Sequence, residues 1–173
     1  MQSTLQRAGH GAVAGAMGAA CMTALRMAAH RAGLIEKQVP QVVEEWVVQR
    51  SGHAPPGGPA GHQATNQLLH LGYGASWAAL FALGTRGRTG APLLRGALFG
   101  AAQWAFGFFV LMPALGVTRP AWRQRARENA VNLASHLLYG AVTALVSEEM
   151  LAQRERTPRC GWARRLARGH LVS

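Results

Sequence analysis

Four long stretches of the chain carry no Asp, Glu, Lys or Arg: Ala8–Leu25, Ser51–Thr85, Gly96–Thr118 and Asn129–Ser147. A helix needs about 20 predominantly apolar residues to cross the hydrocarbon core of a bilayer. The third stretch, GALFGAAQWAFGFFVLMPALGV, meets that need outright. The second contains LLHLGYGASWAALFALG and the fourth AVNLASHLLYGAVTALV, each adequate with some tilt. The first is mostly Ala and Gly, and it reaches spanning length if it runs past Arg26 and that arginine snorkels to the interface. The pattern predicts an all-α integral membrane protein with four transmembrane helices, at about 9–29, 66–84, 95–117 and 129–147. Burial of the same runs as core helices of a soluble bundle is the competing reading.

Between the runs the pattern changes. In VPQVVEEWVVQR, Val39, Val42, Val43, Trp46 and Val47 fall on one helical face, with Glu44, Glu45 and Gln49 away from it. This predicts a short amphipathic helix at about 40–50, lying on the membrane surface with Trp46 at headgroup level. HAPPGGPAG reads as a flexible connector. Thr118 is placed to cap a helix through RPAWRQRAREN, with Pro120 in its first turn, that continues into the fourth span. Residues 1–150 thus form the membrane domain, and 151–173 a basic cytoplasmic tail.

The second and fourth runs resemble each other. Aligning Ala64–Ala78 with Ala130–Ala144 pairs Asn66 with Asn132, His70 with His136, Tyr73 with Tyr139 and Gly74 with Gly140. The preceding helices pair GAVAGA at 11–16 with GALFGA at 96–101. Matches of Asn, His and Tyr at fixed spacing are not a product of an Ala/Gly-rich composition. The chain reads as two tandem helix hairpins of the same orientation, related by an axis along the membrane normal.

Two features recur in both copies. Gly11 and Gly15, and again Gly96 and Gly100, form G-x-x-x-G faces, which let helix backbones approach closely in lipid. They predict that helices one and three cross near the pseudo-axis, and they offer a surface for a homodimer. Asn66, His70 and Tyr73 are spaced i, i+4, i+7 and share a helical face; Asn132, His136 and Tyr139 repeat it. Polar groups in a bilayer turn toward protein or a water-filled cavity. The first reading is a hydrogen-bonded seam, with Gly74 and Gly140 clearing room for a neighbouring helix. A path for a proton or small solute is the second, with the histidines as relay. A bis-histidine haem b or metal site on His70 and His136 is the third.

Composition narrows the class. Only 14% of the residues are charged, where an ordinary soluble domain has about 25%. The 18 basic residues outnumber the 7 acidic ones, but they cluster between uncharged runs, which excludes a nucleic-acid face and favours topology signals. Their distribution places both termini on the cytoplasmic side, and the tail suits anionic inner-leaflet lipids. The first run reads as a retained helix rather than a cleaved signal. Cys21 and Cys160 have no metal-type spacing, and no disulfide between them is expected. Glu148 and Glu149 are expected to pair with Arg86, Arg88 or the tail arginines. No nucleotide loop, Ser/His/Asp set or pocketed carboxylate pair is present, so a non-enzymatic membrane component is the expectation.

His70, Tyr73, Gly74, Met112, Pro113, Gly116, His136, Tyr139 and Gly140, within two H-x-x-Y-G motifs and VLMPALG, are similar to uncharacterised bacterial inner-membrane proteins of the YagU-like kind. The resemblance covers roughly 10–150. It implies a multi-span inner-membrane protein and supplies no reaction.

Overall fold

A computed structural model describes residues 3–36, 39–53, 56–85 and 90–156. The described residues are helical, without strands. α1 spans Thr4–Arg31, α2 Val39–Ser51, α3 Gly58–Gly84, α4 Pro92–Ala114 and α5 Ala126–Arg156. A 3-10 turn, Ala121–Arg123, precedes α5. The basic tail after Arg156 lies outside the described residues.

Local chemistry fixes the helix ends. Ser3 starts α1 with a capping box: its Oγ accepts from the Gln6 N–H, and Gln6 Oε1 accepts from the Ser3 N–H, both at 3.2 Å. At the other end Gly33 takes a left-handed φ of +69°, so that the Leu34 N–H can donate back to the Ala29 carbonyl at 2.9 Å. In α4 the residues Phe106–Leu111 wind as a π-helix. Pro113 follows directly, and it has neither an N–H to donate nor room for the carbonyl four residues back. The wider turn upstream accommodates that misfit.

Two boundary expectations are corrected. From Gly58 onward the proline-glycine connector is the first turn of α3, with Pro59 at a position where its missing N–H is harmless. The segment from Thr118 does not feed straight into α5: Gln124 is extended (φ −91°, ψ 164°), and the helix restarts at Ala126.

The four long helices run antiparallel in sequence, and glycines decide which pairs touch. Gly11 and Gly15 of α1 lie against Ala78 and Gly74 of α3. Gly96 of α4 lies on Gly140 of α5, and Gly100 on the His136 backbone. A Cβ at any of these four would fall inside a neighbouring atom. α1 and α5 also meet, at Gly18 against Tyr139 and Thr143. The expected crossing of the two G-x-x-x-G faces on each other is therefore corrected: each face is engaged within its own hairpin. The hairpins also differ in register. Gly11 sits on Ala78, whereas its counterpart Gly96 sits on Gly140, the match of Gly74, one helical turn away.

α3 and α4 meet through rings. Phe81 stacks on Phe99 with centroids 4.5 Å apart, and Trp77 lies 5.8 Å from Phe106.

Among the described residues, three helices are long and apolar enough to cross a membrane: Thr4–Arg31, Pro92–Ala114 and Ala126–Met150. This corrects the expected four. α3, at 27 residues, has the length but not the apolarity, because His62, Gln63, Asn66, Gln67 and His70 crowd its first half. Ion pairs tie the bundle at both ends. Arg95 of α4 binds Glu148 of α5, so Glu148 takes a partner other than those expected; Arg86 and Arg88 lie outside the described residues. Glu149 accepts from Gln153 at 3.1 Å. Arg125 binds Glu36, joining the α1–α2 and α4–α5 connections. The hydrogen bond and charge of Glu36, then the charge of Glu128, hold the Arg125 guanidinium above the ordinary arginine range.

Candidate functional site

A cavity of about 300 Å³ lies between α3 and α4, floored by α1 and α5 and covered at one end by α2. Gly18 of α1 permits close approach to α5. The residue aligned with it on α4 is Gln103, which lines the cavity instead of admitting a helix.

Both polar stripes reach this space. Asn66, His70 and Tyr73 come from α3, and His136 and Tyr139 from α5. The spacing leaves open whether the two stripes meet; here residues of both line one cavity. Tyr139 is 1% exposed, and its hydroxyl donates to the Gly74 carbonyl at 2.5 Å. Gly74 thus serves as the acceptor on the facing helix, while its missing side chain leaves room for Ala19 and the Tyr139 ring. His136 Nδ1 lies 2.7 Å from the Asn132 carbonyl of its own helix. A carbonyl only accepts, so Nδ1 carries the hydrogen and Nε2 keeps its lone pair. The ring stands edge-on to Phe108, centroids 5.9 Å apart. His70 is largely buried, and its Nε2 has no partner. Tyr73 is half-exposed and turns its ring edge to Trp77 at 6.1 Å.

Three residues that the sequence reading did not bring to this site belong to it. Arg26 was expected to snorkel to the interface; it is 3% exposed, and its Nη1 donates to Asn132 Oδ1. Its Nε has no partner. Gly11, Gly15, Met22 and Arg26 follow one another at steps of 4, 7 and 4 residues, which puts Arg26 on the inward glycine face of α1. That stripe was the available signal. Gln103 continues the stripe of Gly96 and Gly100 in the same way, and its Oε1 is buried without a partner. Glu44 was expected to face away from the apolar side of α2. Its carboxylate instead turns into the bundle, where Asn66 Nδ2 and the His62 ring bind it. With Val39, Pro40 and Val43 of α2 lining the cavity, Glu44 fastens α2 across its end.

The electrostatics are one-sided. Among the described residues lining the cavity, Arg26 alone carries a formal charge. Its hydrogen-bonded partner, Asn132, is neutral. The remaining walls are largely apolar, from Met22, Leu69, Phe108 and Met112. His70 and His136 line the same cavity, but no group of three or more His, Cys, Asp or Glu that could hold a metal ion occurs among the described residues.

Residues 5–158 match the model of a family of unknown function, DUF6789. No curated protein and no solved structure matches the chain. Nothing in these comparisons carries the YagU-like name, so that resemblance gains no support. The match covers nearly the whole chain, which belongs to the DUF6789 family.

Proposed function

We propose that the chain is an integral membrane protein whose role is to bind a small molecule in the cavity between α3 and α4. One observation carries this reading: the polar stripes of α3 and α5 converge with the buried Arg26 on one space of about 300 Å³. That is the low end of the range for small-ligand sites, which are mostly apolar with a few convergent polar groups. The opposite half of the bundle favours binding over a continuous permeation path. There Gly11, Gly15, Gly96 and Gly100 bring helix backbones into contact and leave no room for a solute.

All four long helices cross the membrane in this reading, as two tandem hairpins descended from a duplicated unit. α3 crosses despite its composition because Asn66 and His70, the polar residues at its middle, face inward. Asn66 and His70 turn to the cavity, while Leu68 and Leu80 face outward at 71% and 62% exposure. The outward Ser76 satisfies its hydroxyl within the helix, on the Gly72 carbonyl at 2.9 Å. The membrane is the bacterial inner membrane, with both termini cytoplasmic and the basic tail on anionic lipid. The distribution of arginines supports this orientation.

Gly107 supplies the test. It is buried, it lines the cavity, and a Cβ built on it meets nothing within 4 Å. Gly107→Leu is expected to fill the cavity without clash and to leave the melting temperature equal or raised. Binding of 1-octanol to the protein in lipid nanodiscs, corrected for empty nanodiscs, is expected to fall by about tenfold or more. Unchanged binding in a folded Gly107→Leu protein would show that the ligand sits elsewhere.

A further inference from the structure

Arg26 poses a chemical problem that the described residues do not solve. A guanidinium is always charged, and a buried charge is ordinarily paired. Arg26 is 3% exposed, lies on the cavity wall, and has a neutral side-chain oxygen as its hydrogen-bonded partner. Asn132 engages Nη1 and leaves the edge that carries Nε without a partner. No carboxylate lines the cavity among the described residues. Glu44, on the helix that covers the cavity, is engaged by His62 and Asn66.

We infer that the cavity takes an organic monoanion, a carboxylate on an apolar body, seated with its oxygens on the free edge of Arg26. This rests on the small-molecule reading above and names the class of ligand. The chemistry of the lining selects it. One formal charge balances one carboxylate; a phosphate monoester, carrying nearly two charges, would remain half-compensated. The guanidinium edge matches a carboxylate with two parallel hydrogen bonds. His70 is bonded to the Ala19 backbone, and its remaining Nε2 is a further acceptor for a ligand hydroxyl. Gln103 Oε1 and Asn66 Oδ1 are acceptors without donors, and a hydroxyl on the same ligand would satisfy either. Met22, Leu69, Phe108 and Met112 take the apolar body. The acid arrives either from the bilayer, as a fatty acid, or from the aqueous phase, as a soluble carboxylate. The anchoring is the same for both.

The experiment is calorimetric titration of the full chain in lipid nanodiscs with octanoate and with 1-octanol, empty nanodiscs subtracted. Octanoate is expected to bind about tenfold tighter or better than 1-octanol. Arg26→Gln is expected to erase that preference, so that octanoate and 1-octanol bind within about twofold of each other. Arg26→Lys keeps the charge but not the planar fork, and is expected to retain part of it. The comparison of the two probes on the unaltered chain stands even where Arg26→Gln fails to fold. Hexanoate and palmitate then separate the sources: affinity that climbs through palmitate assigns a bilayer acid, and affinity that peaks at octanoate a soluble one. Equal binding of octanoate and 1-octanol overturns the inference and leaves the cavity reading intact. If neither probe binds, both fall.

Discussion

Gly140→Ala is expected to be among the most damaging single-atom additions in the chain. The Gly140 Cα faces the backbone of Gly96, and a Cβ there would fall on the Gly96 carbonyl and crowd the Gly100 nitrogen. Neither obstacle is a side chain that can rotate away, so α4 and α5 must separate. Overpacking of this kind costs about 1–3 kcal/mol. Alanine returns about 0.5–1 kcal/mol through helix propensity, which is not enough to offset it. The expected net result is a melting temperature in detergent lower by several degrees. Gly72→Ala is the matched control. It sits mid-helix on α3, and a Cβ there meets nothing within 4 Å. Propensity then acts alone, and stability should hold or rise. A fall of similar size at both positions would mean that α4 and α5 do not touch backbone to backbone.

The second large effect is expected at Asn132. Asn132→Leu removes the oxygen that receives Arg26 and leaves the buried guanidinium without its hydrogen-bonded partner. A hydrogen bond to a charged group contributes about 1.5–3 kcal/mol, and loss of the acceptor should cost at least that. The informative comparison is the double change. Arg26→Met with Asn132→Leu deletes the charge and replaces both groups with apolar ones, an exchange that is often neutral or stabilising. Thermal unfolding of the four proteins in a double-mutant cycle should therefore show Asn132→Leu strongly destabilised and the double variant largely restored. An additive cycle would separate Arg26 from Asn132.

Much of the frame was legible because it rests on periodicity. The uncharged runs marked three helices that are long and apolar enough to span a membrane, and the i, i+4, i+7 spacing brought Asn66, His70 and Tyr73 to one face. The repeat of that spacing at Asn132, His136 and Tyr139 marked a second polar face but not whether the two faces meet; His136 and Tyr139 line the cavity, and Asn132 binds Arg26. Illegible was which helix each glycine face would meet. G-x-x-x-G specifies a close approach without naming the partner, and here each face closes its own hairpin, one turn out of register with the other.

The charged residues misled for a different reason. Arg26 near a helix end reads as an interface residue when charge is weighed alone. Its position on the face of Gly11, Gly15 and Met22 pointed inward, and that face proved decisive. Glu44 follows the same lesson: a carboxylate on an amphipathic helix reads as solvated until two donors, His62 and Asn66, appear on a neighbouring helix that the sequence alone does not place. The π-helix at Phe106–Leu111 has a visible cause in Pro113, but proline marks the misfit without stating how the helix absorbs it.

Everything proposed for the cavity depends on α3 crossing the bilayer with its polar face turned inward, and one measurement addresses that directly. Nitroxide spin labels at positions 76 and 80, replacing the outward-facing Ser76 and Leu80, would be read in liposomes for collision with oxygen, which concentrates in lipid, and with a water-soluble nickel chelate. Labels at Leu98 of α4 and Leu145 of α5 serve as references on helices apolar enough to span. All four sites are expected to be rich in oxygen collisions and poor in nickel collisions. Nickel access at positions 76 and 80, with the references protected, would put α3 outside the membrane and contradict the four-helix crossing.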